Sequence, residues 1–198
     1  MPDPKTIATY NAKAAHYADT FGHDGPDKTL RSFIALMPQG GRVLDLGCGP
    51  GTASVHMREA GLVPDPVDAS ESMVVLATER FGLPARLGTF DDISGTAIFD
   101  GIWANFSLLH APRSDLPRHF AALGQAIKTG GTIHLGMKTG AGTQRDAMDR
   151  LYTFVTVPEL QGLLEDAGFR VTHTHEGAER GMAGTLDPFV IMRGLKIA

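Results

Sequence analysis

Apolar and polar positions along this chain change period again and again, and the changes lay out an alternation of helices and strands. Ile7, Tyr10, Ala14 and Tyr17 recur at helical spacing and predict a helix over residues 6–18, followed by a loop at 22–26. Leu30, Phe33, Ile34 and Met37 form an i, i+3, i+4, i+7 stripe over 27–37. Asp27 is placed to cap that helix, and Pro38, Gly40 and Gly41 to stop it. Residues 43–46 read as a short buried strand, and the stretch from Thr52 as a helix closed by Gly61. A second strand spans 63–68, with its ladder pairing limited by Pro64 and Pro66. Behind Ser70 as cap, a helix over 71–81 turns Met73, Val74, Ala77 and Phe81 inward. Strands follow at 86–89 and 97–105. A helix capped by Ser114 or Asp115 buries Leu116, Phe120, Leu123 and Ile127, ends near Lys128, and leads to a fifth strand at 132–137. Past a polar, glycine-rich stretch at 138–152, Thr156 and Glu159 form a capping box for a helix that carries Leu160, Leu163, Leu164 and Ala167 and stops at Gly168. Strands at 169–175 and 189–193, joined by a loop at 177–186, are close enough to pair as an antiparallel hairpin. Five strand–helix alternations and a terminal hairpin predict a doubly wound α/β domain.

Length and composition narrow the classes. A chain of 198 residues fits one domain, with residues 1–38 as a helical extension or lid at its start. A net charge of −4 gives no basic footprint, which argues against a nucleic-acid partner. The single cysteine, Cys48, excludes an internal disulfide and a cysteine-based zinc cluster. No apolar stretch approaches the length of a membrane span, and M-P-D-P-K-T has no apolar run behind a basic region, so the expected compartment is the cytoplasm. His173 and His175 share a strand face, but two histidines without a third ligand do not make a metal site. Oligomeric state is not read from the sequence.

The chemistry concentrates where the first strand ends. Gly47, Gly49 and Gly51 follow at alternate positions, marking a backbone that turns tightly and lets a ligand approach. The helix start beyond them carries free N–H groups suited to an anionic ligand group. A dinucleotide fingerprint would need its third glycine at position 52, which is Thr52; that speaks against a nicotinamide-dependent oxidoreductase on the same fold. G-x-S-x-G, H-E-x-x-H and G-x-x-x-x-G-K-[ST] are absent, which leaves hydrolase, zincin and P-loop readings without support.

The segment V-L-D-L-G-C-G-P-G-T (43–52) resembles motif I of the class I S-adenosylmethionine (SAM)-dependent methyltransferases. Further segments extend the resemblance over nearly the whole chain. V-D-A-S-E-S-M (67–73) is similar to the family's G-x-D-x-S-x-x-M, and F-D-G-I-W-A-N-F-S-L-L-H (99–110) to its motif IV. L-x-x-A-I-K-T-G-G-T-I-H-L (123–135) is similar to L-K-P-G-G-x-L, with Thr129 where proline is usual. K-T-G-A-G (138–142) is similar to K-x-G-x-G, and the G-R-x-Y that follows it has Asp149 in place of the glycine.

The resemblance implies a seven-stranded sheet in the order 3-2-1-4-5-7-6, with strand seven antiparallel. It implies SAM as cofactor, a small-molecule methyl acceptor, and release of S-adenosylhomocysteine (SAH). A SAM-binding sensor or inactive partner without turnover is the rival. The loop Gly47, Cys48, Gly49, Gly51 would face the methionine end, with Asp45 reaching its amino group. Asp68, followed by Ala69, would accept hydrogen bonds from both ribose hydroxyls, since one carboxylate serves two adjacent donors. The other reading of Asp68 is a helix cap, a part Ser70 fills better. Met73 lines the adenosine pocket or simply fills core. Thr89, Phe90 and Asp91 would hold the adenine, or form an exposed acidic turn. Asn105, Phe106 and Ser107 would face the methionine moiety and the acceptor.

His110 is the candidate base, against the more economical reading of a histidine that fixes its loop; methyl transfer from a sulfonium often needs no base. Tyr17, in the pattern Y-x-x-x-A-x-x-Y (10–17), closes over SAM in such relatives, or packs an added helix. Lys138, Arg145, Arg150 and Tyr152 would hold an anionic acceptor, or stand as solvated side chains on a mobile loop.

Overall fold

The computed structural model describes residues 3–21, 25–181 and 184–197; positions 22–24 of the expected first loop and 182–183 of the expected last one lie outside the described residues. Helices α1 (Pro4–Phe21) and α2 (Lys28–Ile34) precede β1 (Arg42–Leu46), α3 (Thr52–Glu59), β2 (Val63–Asp68), α4 (Glu71–Phe81), β3 (Arg86–Leu87) and β4 (Phe99–Asn105). Then come α5 (Leu116–Ala126), β5 (Ile127–Lys138), β6 (Thr143–Arg145), β7 (Leu151–Thr153), α6 (Val157–Asp166), β8 (Phe169–Arg180) and β9 (Leu186–Lys196). Seven strands form one sheet, β3-β2-β1-β4-β5-β9-β8, and β6 and β7 form a separate two-stranded one. With that pair set aside, the order is the expected 3-2-1-4-5-7-6. Strands β1 to β5 pair in parallel, and β9 runs antiparallel to both β5 and β8.

Alternation along the central strands sorts the two faces. Leu44, Leu46, Ile102, Ala104, Ile133 and Leu135 join the larger core, which takes in Phe120 and Leu123 of α5 and Leu160 and Leu164 of α6. Val43 and Trp103, one residue out of step, pack on the other face with Leu30 and Phe33 of α2 and Met57 of α3. Asp27 caps α2 through its carboxylate, Ser70 caps α4, and Thr156 with Glu159 forms the capping box of α6. Among the described residues no helix is long and apolar enough to cross a membrane.

The prolines of β2 act on one side only. Val63 donates to Gly41 O, and Val67 O accepts from Gly47 and Cys48, so the odd residues face β1 and β2 pairs with it along its whole length. Pro64 and Pro66 face the other way, and β3 on that side pairs only at Val67 and Asp68.

Five segments differ from expectation. α5 ends at Ala126, and Ile127, expected on its buried face, opens β5 instead. β3 stops at Leu87, because Thr89 instead caps a 3-10 turn, Phe90–Asp92, in a reciprocal bond with Asp92. Ser114 and Asp115 lie inside a 3-10 turn, Arg113–Asp115, and neither side chain caps α5. The glycine-rich stretch after β5 is a hairpin, β6–β7, rather than a loop. The expected loop at 177–186 is largely ladder: β8 and β9 pair down to Arg180 and Leu186. There a polar run, E-G-A-E-R, conceals a strand that is mostly exposed and needs little apolar residue content.

Candidate active site

The carboxyl ends of β1, β2 and β4 open onto two cavities that share a wall. The smaller, about 110 Å³, lies between the glycine loop, Asp68, Phe90 and α1. The larger, about 610 Å³, extends past Asn105 and His110 to the β6–β7 hairpin and to Phe189 of β9. Tyr10, Tyr17, Gly49, Asn105, Phe106 and His110 border both.

The three loop glycines serve different ends. All have left-handed backbones, with φ of +76°, +54° and +86° at Gly47, Gly49 and Gly51. A Cβ on Gly47 would lie 2.4 Å from the Ser107 Cβ, and one on Gly51 would lie 2.6 Å from Leu83 and 2.9 Å from Ala77. Gly51 borders neither cavity; its smallness lets the start of α3 pack on α4. At Gly49 the nearest atom to a Cβ is the Tyr17 ring, 3.9 Å away, so this residue faces open space. The Cys48 thiol is buried and turns to Gly49 O.

Two carboxylates flank the loop. Asp68 Oδ2 accepts from Gly49 N at 2.8 Å, and Oδ1 accepts from Ser70 N at 2.8 Å. Main-chain N–H groups of Ser70, Gly49 and Ala69 favour the carboxylate, while burial, the larger effect, pushes the carboxyl above its ordinary range. Asp45 is 1% exposed and accepts from Ser54 Oγ at 2.7 Å. Burial raises it to about 7. Among the described residues neither carboxylate has a cationic partner.

At the end of β4, Phe106 holds φ at +56°, a left-handed conformation that is costly for an aromatic residue. Among the described residues the buried Ser107 Oγ finds no hydrogen-bond partner. The Asn105 amide is oriented from behind: His134 Nε2 donates to its Oδ1 at 3.1 Å, and the His134 ring stacks on Trp103 at 3.8 Å. His110 is held at both ends. Its Nδ1 donates to Leu151 O at 2.6 Å, since a carbonyl only accepts, and its Nε2 therefore accepts from Tyr10 Oη at 2.9 Å. Burial lowers the imidazole to about 4. These two bonds tie the imidazole to the β6–β7 hairpin and to α1.

Helix α1 covers the smaller cavity. Asp3 grips the Arg145 guanidinium at 2.6 and 3.0 Å, Thr6 Oγ1 accepts from Leu151 N, and Thr9 donates to Met148 O. On its other flank Asn11 Oδ1 accepts from Ser70 Oγ and Ser72 N.

Most expected site residues come together here. Tyr17, Gly47, Gly49, Asp68, Ala69, Met73, Thr89, Phe90, Asn105, Phe106 and Ser107 border the smaller cavity; Asp45, Cys48, Lys138, Arg150 and Tyr152 border the larger. Gly51 and Asp91 are the exceptions, lining neither cavity; the Asp91 carboxylate turns to Arg118 at 2.6 Å, which lowers its pKa. Arg145 pairs with Asp3 and Asp149 and lines neither cavity. Arg150 is 3% exposed, so it is no solvated loop charge. Sequence reasoning missed Asp3 and Thr6, His134, and the Asp187 and Phe189 wall. Only the first turn of α1 offered a signal, the D-x-x-T spacing that lets Asp3 accept from Thr6 N and Oγ1.

A family pattern described as a methyltransferase domain matches residues 21–174. The chain belongs to this methyltransferase-domain family. It is 40% identical over 73 residues to a trans-aconitate 2-methyltransferase of Mycolicibacterium gilvum, 36% of this chain and 28% of that protein. It is 29% identical over 107 residues to an uncharacterized methyltransferase of Staphylococcus carnosus, 54% of this chain and 50% of that protein. The chain thus spans half or less of the curated relatives it matches. In fold it is similar to the Burkholderia thailandensis 1,6-didemethyltoxoflavin-N1-methyltransferase, solved with 1,6-didemethyltoxoflavin and SAH. The TM-score is 0.74 at 21% identity, over 98% of this chain and 88% of that one. The seven-stranded order with its antiparallel β9 is the Rossmann-like sheet of such methyltransferases.

Proposed function

We propose that this protein transfers a methyl group from SAM to a small-molecule acceptor and releases SAH. Family membership supports the reaction class, and one observation carries the site: two buried carboxylates, Asp45 and Asp68, face the cavities without a cation of their own. Buried carboxylates call for a ligand that brings positive charge and hydrogen-bond donors. A zwitterionic sulfonium nucleoside brings both. The residues fit it in detail: Gly49 leaves the gap a Cβ would fill, Ser107 Oγ has no partner among the described residues, and the two oxygens of Asp68 present acceptors for vicinal hydroxyls.

Bound there, SAM supplies an electrophilic methyl whose leaving group is a neutral thioether. The chain's own part is alignment and exclusion of water. Asp68 fixes the ribose and Asp45 the amino group. His134 keeps the Asn105 amide in one orientation. Helix α1 closes the cofactor side, while Tyr10, shared by both cavities, forms part of the acceptor's wall.

Calorimetric titration with SAM and SAH tests the reading. We expect binding to the parent protein and a loss of about tenfold or more in Asp68→Ala, as for a charge-assisted pair of hydrogen bonds. Equal affinity in the variant, or no uptake by either protein, overturns the assignment. Binding without SAH release across a broad set of acceptors would favour the sensor.

A further inference from the structure

Resting on the methyl-transfer reading, we infer that the acceptor is a flat, uncharged aromatic or heteroaromatic molecule and not a small polycarboxylate. The cations of the larger cavity carry the first part of the argument. Lys138 Nζ lies 2.5 Å from Asp187 Oδ2, with the two side chains only 13% and 19% exposed. Arg150 meets Asp146 Oδ2 through Nε at 3.0 Å and Nη2 at 2.6 Å, and its Nη1 donates to Tyr10 Oη at 3.1 Å. Arg180 stands at the exposed rim, donates to Gly184 O, and follows Glu179. At Lys138 or Arg150 a carboxylate acceptor would have to displace a carboxylate already in place and leave it poorly solvated, and at Arg180 it would meet a cation already screened by water. Glu179 borders the same cavity and repels it further.

The walls carry the second part. Tyr10 packs edge-on to Tyr17 and His110, with centroids at 5.9 and 5.4 Å, and His110 continues to Tyr152 at 4.8 Å. Phe189 meets Phe106 at 5.7 Å and His175 at 6.2 Å. Phe106 takes its place in this lining at the cost of a left-handed backbone. Ring-lined, charge-balanced space suits a ring.

Proton handling agrees. Both nitrogens of His110 are engaged, so it is not free to take a proton. An acceptor atom that already holds a free pair at neutral pH, such as a ring nitrogen, suits this site. Its lone pair forms the bond to the methyl carbon as the carbon–sulfur bond breaks and leaves its pair on sulfur. Any proton then borne by the product ring nitrogen passes to water.

The test is saturation-transfer NMR on the full chain loaded with SAH, using benzimidazole and 2-hydroxyquinoline against citrate and trans-aconitate. We expect transfer to the ring probes and none to the tricarboxylates. Tyr152→Ala should weaken ring binding about three- to tenfold, the range of an aromatic contact. Phe189→Leu serves if that variant does not fold. Asp187→Asn, by freeing Lys138, should admit the tricarboxylates. Tricarboxylates that bind the parent as well as the rings do, ring probes that do not bind, or ring binding indifferent to the wall variants would each overturn the inference. Calorimetry with SAH comes first. If SAH is not taken up, the methyl-transfer reading fails; if SAH binds and the rings do not, only the acceptor class fails.

Discussion

At the scale of single residues, the loop glycines separate folding from binding. Gly49→Ala meets open space and a left-handed backbone, so it should cost about 1–2 kcal/mol of stability and leave a folded protein with weakened SAH affinity. Gly51→Ala adds overpacking against Leu83 and Ala77, a further ~1–3 kcal/mol, while touching no ligand. Thermal melts with and without SAH distinguish the two variants. Asp45 gives a prediction with a pH sign. Its folded pKa, about 7, stands above the ordinary carboxyl value of 3.8, so the folded state holds the proton more tightly and stability falls as pH rises through that window. Asp45→Asn keeps an acceptor for Ser54 and removes the buried charge. Its ligand-free Tm at pH 8 should rise by a few degrees, with little change at pH 4, while SAM affinity falls. Asp45, Asp68 and the glycines were legible because loop spacing and residue chemistry declare them. His134 was not, because a histidine inside a strand looks like core until its Asn105 partner is seen across the sheet. The pairing of Asp91 with Arg118 was equally hidden, because the two are distant in sequence.

Among elements, α1 and the β6–β7 hairpin belong together. The hairpin holds the lid through Asp3–Arg145, Thr6 and Thr9, and α4 holds it through Asn11. Asp3→Ala combined with Asn11→Ala should speed SAH release several-fold, and the Asp3 part of the effect should shrink at high salt, as expected of a partly exposed ion pair. Stopped-flow dissociation measures both. A release rate that does not change would mean that the helix is not the gate. The helical stripe Ile7–Tyr17 made α1 legible, and capping residues fixed α2, α4 and α6. The hairpin stayed hidden because its strands are three residues long and its turn is polar. Even so, the missing glycine of the G-R-x-Y segment pointed at its tight turn: Asp149 stands at φ +62°, a left-handed position that Asp tolerates better than most residues.

For the whole molecule, stability is distributed unevenly. β1, β4 and β5 are covered on both faces, whereas α1 is attached mainly by hydrogen bonds and ion pairs at its surface. Hydrogen exchange should therefore be slowest in β1, β4 and β5 and fastest in α1 and β6–β7, and SAH should slow these two segments most. Uniform protection in the ligand-free protein would contradict this picture. The sheet order was readable from the chain because parallel crossovers permit few arrangements. The depth of the β8–β9 ladder was not, since a strand exposed on both faces carries no alternation. Among the described residues β6 and β7 pair as strands only with each other, yet Tyr152 and Thr153 are buried and the segment ties down both α1 and His110. A different hairpin grafted between β5 and α6 would therefore reshape the wall of the larger cavity and the cover of the smaller one in a single stroke, while the seven-stranded sheet keeps its own ladder.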